Sequence, residues 1–332
     1  MSINSESPDT KMKILIIIAF VALSQADETD NIKLAADNPQ KLQALFSQFR
    51  QDNHRVYKNA LEGRMRMAVF RNFVKKAAKI NAEQDDITVG ITFFADLTEE
   101  EKRAYHGANV TDQVEDAEEY VADEDEAAPA WGSSISHKHR YGAVKSQGTC
   151  GSCWSFASVG LVEGYQSALT GRYTALSEKN VLDCSNCGSC NGGYHTQAMN
   201  WIKRYNKLAS ASSYRYSPSK GSCRGSSHRN AMTIRVSSVY TARGSTNMAS
   251  ALKKGPVIFY LYNFHGVAVE GYKGGVLTSA NNGPRAMNHV VVGVGYTSTQ
   301  WQMRTVGGPG GARGDTSASP GVIAWWPAMW CG

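Results

Sequence analysis

All seven cysteines of this 332-residue chain lie between Cys150 and Cys331, and the first 149 residues have none. Cross-links can therefore shape only the back of the chain, and the front must fold on its hydrophobic pattern alone. Residues 1–26 hold a basic start at Lys11 and Lys13, an apolar run from Ile14 to Leu23, and small residues at Ser24 and Ala26. That run is too short to cross about 30 Å of hydrocarbon as a helix. The segment reads as a cleaved secretory signal, with Met12 the expected initiator, and no stable membrane anchor is expected. A chain sent into an oxidising compartment forms disulfides, and an odd cysteine count leaves at least one thiol without an internal partner.

Spacing alone leaves competing uses for these cysteines. Cys150-x-x-Cys153 has the form of a redox dithiol, and Cys184-x-x-Cys187-x-x-Cys190 has the form of zinc ligands. Neither is supported by its surroundings: no thioredoxin-like βαβ pattern flanks the first, and no further Cys/His cluster accompanies the second. No metal and no cofactor are expected.

Charge divides the chain as sharply as cysteine does. Residues 1–130 carry 15 basic and 24 acidic side chains (15 − 24 = −9), and residues 131–332 carry 20 and 5 (20 − 5 = +15), within a total of +6. The basic residues of the back part stand singly, with no basic helix, zinc-finger or RNP pattern, so nucleic-acid binding is excluded. Residues 111–130 contain nine acidic residues, no basic one, and a close in Ala-Ala-Pro-Ala. That composition predicts a solvated, protease-accessible linker between a front region, 27–130, and a back region, 131–332. Asn109-Val-Thr111 is a glycosylation sequon.

Leu42, Leu45, Phe46 and Phe49 recur at helical spacing, as do Met65, Val69, Phe70 and Phe73, so two amphipathic helices are expected from Pro39 to about Asn81. A short extended piece is expected over Gly90–Asp96. Beyond Trp131 a helix from Ser155 to about Leu169 should stop at Gly171, with shorter helices over Ser177–Leu182 and Thr196–Tyr205. Val257–Tyr262, Gly266–Val269 and Val290–Tyr296 read as strands. Helices first and strands second predict an α+β fold of two packed lobes with a cleft between them.

Ser146-Gln-Gly-Thr-Cys-Gly-Ser-Cys-Trp-Ser-Phe156 sets Cys153 at the start of a helix, where the positive end of the dipole favours thiolate. This run resembles the papain-like, cathepsin L-like cysteine proteases. Cys184-x5-Cys190-Asn-Gly-Gly-Tyr194, Gly255-Pro-Val257, Tyr272-Lys-Gly-Gly-Val276, and Asn288-His289 with Gly293-Val-Gly-Tyr296 resemble later blocks of the same family. In the front part Glu62, Arg66, Val69, Phe70 and Asn81 match its inhibitory-helix pattern, from which Phe73 and Ala77 depart. Gly90, Phe94 and Asp96 match its second propeptide motif, with Thr92 in the place of an Asn.

The resemblance implies a papain-like two-lobed fold, with a helical left lobe, a β-barrel-like right lobe and the active-site cleft between them, behind a helical prodomain. It makes Cys153 the nucleophile, His289 its imidazolium partner and proton donor (289 − 153 = 136 residues on), and Gln147 the side-chain donor of the oxyanion hole. The other histidines are expected to be structural. It pairs Cys150 with Cys190 and Cys184 with Cys223, leaving Cys153 free, although Cys187 could displace Cys184 or Cys190. It lines the cleft with Gly192, Gly193 and Tyr194, where Gly193 offers backbone hydrogen bonds to an extended peptide. Tyr194 and Met287 suggest an apolar pocket for the substrate residue two before the cut, with Asn288 beside the histidine. Implied partners are peptide or protein substrates, the chain's own propeptide as an intramolecular inhibitor, and cystatin-like inhibitors; a monomer is expected. Destinations are the lysosome, a vacuole or the exterior. The opposite charges of the two regions attract each other near neutrality, so protonation of the acidic front should favour release and cleavage before Trp131.

The resemblance stops at the C-terminus. The family places an Asn sixteen residues after its histidine, in N-S-W-G-x-x-W-G-x-x-G-Y, where this chain has Thr305-Val-Gly-Gly-Pro-Gly-Gly-Ala-Arg-Gly-Asp-Thr316. Reading each codon one base earlier yields nAC, nGT, nGG, nGG, nCC, nGG, nGG, nGC, two unspecific codons, nGA and yAC. These permit every fixed position of the missing motif, so a base lost near codon 304 would explain the break. Taken as written, the chain has no orienting residue for His289, fewer strands in its second lobe, and exposed Trp325 and Trp326 in a Gly-rich tail. That form suggests a catalytically impaired homologue acting as a peptide-binding or inhibitory protein. Met329-Trp-Cys-Gly332 resembles the family ending.

Overall fold

The computed structural model describes residues 27–103, 105, 118–122, 134–224, 232–262, 266–277, 287–304, 315–318 and 328–331. Two compact units divide the chain, the first made of Met1–Asp96 with Gly271–Lys273 and the second of Leu97–Glu270 with Gly274–Gly332. The secretory signal, the sequon, the cleavage point before Trp131, Thr305 and the Trp325-Trp326 pair all lie outside the described residues.

The first unit starts with helix α1 (27–37), which composition did not announce, followed by α2 (Pro39–Asp52) and α3 (Ala60–Glu83). Asn38 caps α2 by accepting from the Lys41 N–H, with Pro39 at its first position. Asn59 caps α3 through the Glu62 N–H, and the Glu62 carboxylate reaches back to the Lys58 N–H at 2.7 Å. Phe46 and Phe49 of α2 close on Phe70 of α3, with ring centroids 5.1 and 5.0 Å apart. Phe73, Val74 and Ala77 continue the same buried face, so the two departures from the family pattern sit in the unit's core.

Asn81 then fixes strand β1 (Ile87–Val89) by donating to the Val89 carbonyl and accepting from its N–H, at 2.7 and 2.8 Å. The extended piece expected over Gly90–Asp96 is corrected: Phe93–Asp96 is a 3-10 turn. The Ala95 N–H bonds the Thr92 carbonyl, and buried Asp96 accepts from Arg55 at 2.8 Å and Tyr57 at 2.9 Å. Arg66 donates to the Asp96 carbonyl at 3.1 Å, which ties both front motifs together.

The second unit opens with α4 (Glu99–Arg103), followed among the described residues by strand β2 (Glu118–Tyr120). Its remaining strands are β3 (Ile135–Ser136), β4 (Gly188–Ser189), β5 (Gly192–Gly193), β6 (Lys207–Leu208), β7 (Met232–Thr233) and β8 (Val239–Ala242). They continue as β9 (Val257–Tyr262), β10 (Tyr272–Leu277), β11 (Met287–Tyr296), β12 (Trp301–Arg304), β13 (Asp315–Ala318) and β14 (Ala328–Cys331). Between them run helices α5 (Cys153–Thr170), α6 (Glu178–Cys184), α7 (His195–Tyr205), α8 (Gly244–Lys254) and α9 (Val267–Glu270).

Helix α5 is apolar on most of its circumference and is buried accordingly. It ends at Gly171 with φ +67°, a left-handed cap that a Cβ would strain. Around it pack Leu176, Val181, Leu182, Met199, Ile202, Ile234, Ile258 and Val290. The sheet runs β10-β13-β12-β11-β9-β14-β8-β2, with β3 also paired to β11.

Further expectations need correction. Gly266–Val269 is not a strand; α9 forms there, started by the Gly266 carbonyl accepting from Val269 and Glu270. Glu118–Tyr120 are not free linker but pair in parallel with β8, and the Ala122 N–H donates to Asn247 at 3.1 Å. The C-terminal tail does not simply lose strands: β13 pairs with β12 and β10, and β14 with β8 and β9.

Candidate active site

The turn leading into α5 is held by links to two other segments. Cys150 is bonded to Cys190, and the Gly151 N–H donates to the Cys190 carbonyl at 2.8 Å. The Tyr216 hydroxyl donates to the Gln147 carbonyl at 2.8 Å and lies 2.7 Å from the Ser152 hydroxyl. Burial pushes the Tyr216 phenol well above its ordinary range. This turn delivers Cys153 to the first residue of α5, its thiol buried and outside any disulfide.

Gln147, six residues upstream, is 2% exposed. Its side-chain nitrogen donates to the Tyr105 carbonyl at 2.8 Å and to the Cys150 carbonyl at 3.0 Å. Tyr105 belongs to the front region, so a main-chain carbonyl of that region occupies the amide expected to receive an oxyanion.

His289 is buried on β11. The ladder between β11 and β9 skips from Met287, opposite Tyr262, to His289, opposite Leu261. The extra residue, Asn288, re-aims the strand at this point, as bulges beside active sites do. Helix α5 packs directly on β11: a Cβ on Gly160 would meet Val292 at 2.9 Å. Cys153 and Val290, next to His289, share one apolar core. The helix of the expected nucleophile and the strand of the expected proton carrier are thus brought together. The side chains of Met287 and Asn288 lie outside the described residues.

Trp154 explains the glycine-rich wall. Its indole N–H donates to the Ser189 carbonyl at 3.2 Å, and a Cβ on Gly193 would sit 2.5 Å from its ring. Gly192 takes φ +120°, open to glycine alone at low cost. Strands β4 and β5 therefore form a tight hairpin against the residue that follows the nucleophile. Tyr194 leads into α7, its N–H bonded to the Cys187 carbonyl at 2.9 Å.

The disulfides Cys150–Cys190 and Cys184–Cys223 both form, closing loops that contribute about 2–4 kcal/mol each in the chain-entropy account. They end the redox-pair and zinc readings, because Cys150, Cys184 and Cys190 are each committed elsewhere. Cys187 stays free and buried, its thiol raised chiefly by burial. Among the described residues no group of three or more His, Cys, Asp or Glu is placed to hold a metal ion. No described helix is long and apolar enough to cross a membrane.

Two buried polar features escaped the sequence reading. Lys145 lies 2.5 Å from both Glu163 and Glu178. Burial lifts the Glu178 carboxyl to about 7; Lys145 opposes the shift and Glu163 adds to it. Burial disfavours the Lys145 ammonium, but the two carboxylates outweigh it and raise the group. His195 is buried edge-on to Tyr260, ring centroids 4.7 Å apart, and desolvation lowers its pKa to about 3. Two acids and one base scattered over 34 positions carry no spacing signal, and His195 lacked any motif.

Comparison with known proteins agrees with this geometry. The papain family cysteine protease profile matches residues 131–307, and the cathepsin propeptide inhibitor domain matches residues 46–101. Fruit bromelain from Ananas comosus is 30% identical over 297 residues, covering 86% of this chain and 81% of that one. Digestive cysteine proteinase 2 from Homarus americanus is 28% identical, covering 80% and 83%. Among solved structures, a recombinant stem bromelain precursor superposes with a TM-score of 0.75 at 25% identity, over 89% of this chain and 99% of that one. The digestive procathepsin L2 proteinase of Tenebrio molitor larval midgut reaches 0.78 at 23% identity, over 87% and 99%, and shares the fold. The chain belongs to the papain family of cysteine proteases, a cysteine endopeptidase carrying its own inhibitory propeptide domain.

Proposed function

We propose that the chain is a secretory-pathway zymogen that hydrolyses peptide bonds through a Cys153 thiolate and a His289 imidazolium. In this reading the Cys153 sulfur bonds to the scissile carbonyl carbon. The developing oxyanion accepts hydrogen bonds from the Gln147 amide and the Cys153 N–H. His289 gives its proton to the leaving amine as the C–N bond breaks. Water, deprotonated by His289, then cleaves the thioester and restores the thiol. Gly192, Gly193 and Tyr194 hold the substrate backbone, with Tyr194 and Met287 shaping the pocket two residues before the cut. The observation that carries the reading is the Gln147–Tyr105 hydrogen bond at 2.8 Å. In this reading the front-region carbonyl takes the hydrogen bond meant for a substrate carbonyl, so removing that region opens the site. Acid favours removal by protonating the front region's carboxylates, and lysosome, vacuole or exterior is the destination.

Thr305 bears on activity, and we propose that it and its Gly-rich continuation arise from one base lost near codon 304. The family match ends at residue 307, close to where the shifted reading begins. Resequencing the transcript across codons 300–318 tests this, and a clean read with no missing base ends it. Thr305 itself favours the second reading, an impaired homologue. Turnover of a peptide substrate by the written and frame-restored chains separates the two. The restored chain should exceed the written one by about 10³–10⁴ in rate, the typical cost of a lost triad member.

A further inference from the structure

Lys102 ends up almost wholly buried, its side chain 7% exposed, with its ammonium 2.8 Å from the Glu270 carboxylate, itself 1% exposed. The second contact of the ammonium is Glu99 of its own helix at 3.1 Å, a residue 69% exposed. Glu270 is held in place from behind: its other oxygen accepts from the Gly266 N–H at 3.0 Å. Burying a lysine and a carboxylate together costs several kcal/mol of desolvation per ion. A methionine in the place of Lys102 would cover the same surface without that cost. The lysine is matched to an acid that the covered surface already presents.

Position gives this pair its meaning. The Tyr105 N–H bonds the Lys102 carbonyl at 3.0 Å, closing a turn, so their Cα atoms lie within about 7 Å. The Tyr105 carbonyl is the group on Gln147. Lys102, whose ammonium Glu270 receives, is therefore one turn of chain from the residue whose carbonyl meets the expected oxyanion site. Lys102 lies outside the matched peptidase domain, which begins at 131, whereas Glu270 lies inside it.

We propose that Glu270 forms a subsite for a cationic substrate side chain, Lys or Arg, within two residues of the scissile bond, and that Lys102 is its stand-in in the zymogen. The inference rests on the zymogen reading above. When the front region leaves, Glu270 stays behind, fixed by Gly266, and a substrate Lys or Arg restores the pairing that Lys102 made. Substrates with an acidic or apolar side chain there leave the carboxylate without that cation.

Two measurements on the processed chain test this. In the first, fluorescein-labelled peptides of residues 99–108 carrying Lys, Arg, Met or Glu at position 102 are titrated by anisotropy, which needs no turnover. Lys and Arg peptides should bind on the order of 10–100-fold tighter than Met, with Glu weakest. Glu270→Gln should compress the series to within about threefold; circular dichroism verifies that this variant is folded, and Glu270→Asp should keep the order. In the second, cut sites in a peptide library are read by mass spectrometry. Lys and Arg should be enriched at one position within two residues of the cut for the wild type and not for Glu270→Gln. Equal binding of Lys and Met peptides, or a library preference that Glu270→Gln leaves intact, overturns the subsite. If the wild type cuts nothing while the binding order holds, the protease reading fails and the cation pocket stands.

Discussion

The side-chain amide of Gln147 donates to the main-chain carbonyl of Tyr105 at 2.8 Å, with both residues buried. One hydrogen bond thus links the turn before the expected nucleophile to the segment that must leave before a substrate can enter. Replacing Gln147 by Ala should lower kcat of the processed chain by about 10²–10³, the cost of one oxyanion donor. It should also loosen the front region in the zymogen. Steady-state kinetics with a fluorogenic peptide and the rate of acid processing check the two halves separately.

The Lys145–Glu163–Glu178 cluster gives stability a pH dependence of defined sign. Glu178 is raised to about 7 mainly by burial, against an ordinary 4.5. Its contribution is fully present below about 4.5 and is lost as pH rises through about 7, because the folded state holds the proton more tightly. Glu178→Gln should flatten that slope, which is worth at most about 3 kcal/mol. Thermal melts of wild type and variant from pH 4 to 8 measure it as the difference between the two curves, and a difference that does not change between pH 4.5 and 7 would contradict the assignment.

His195 works in the other direction. Desolvation depresses it from 6.5 to about 3, so its contribution is present above 6.5 and is lost as pH falls toward 3. His195→Leu should remove this loss and leave melting near neutrality little changed. Melts of the variant between pH 3 and 6.5, compared with wild type, read the difference directly.

In the first unit, Asp96 holds Arg55 and Tyr57 while Arg66 holds its carbonyl. Asp96→Ala leaves the partly buried Arg55 guanidinium with the Phe93 carbonyl but without its counter-charge, and should cost about 3 kcal/mol. The front region should then be digested faster by trypsin at pH 7 in the full chain, whereas Asp86→Ala, in an exposed turn, should not change the rate.

Legibility in the sequence followed the physics of each element. Helices α2 and α3 were readable because Phe46, Phe49, Phe70 and Phe73 repeat at helical spacing. The Cys153 turn was readable because its chemistry demands a fixed local order of residues. Helix α9 reads as a strand in sequence because the β-branched Val267 and Val269 favour extended chain locally. Its helical turn is closed by the Gly266 carbonyl, which accepts from the Val269 and Glu270 N–H groups, a backbone closure with no side-chain signature. Strand β2 was hidden because acidic composition announces solvent, yet its backbone groups find the edge of β8. The Lys145 cluster and the Lys102–Glu270 pair join residues far apart in the chain, so only the fold reveals them.

Active-site titration with an irreversible thiol-directed epoxide, after processing at low pH, addresses the catalytic assignment most directly. One equivalent should bind per chain, with the mass increase on the peptide containing Cys153, none on Cys187, and turnover falling in proportion. His289→Ala should abolish labelling at the same pH. Processed, folded protein that takes up no label at Cys153, or that keeps its turnover once Cys153 is labelled, would contradict Cys153 as the nucleophile.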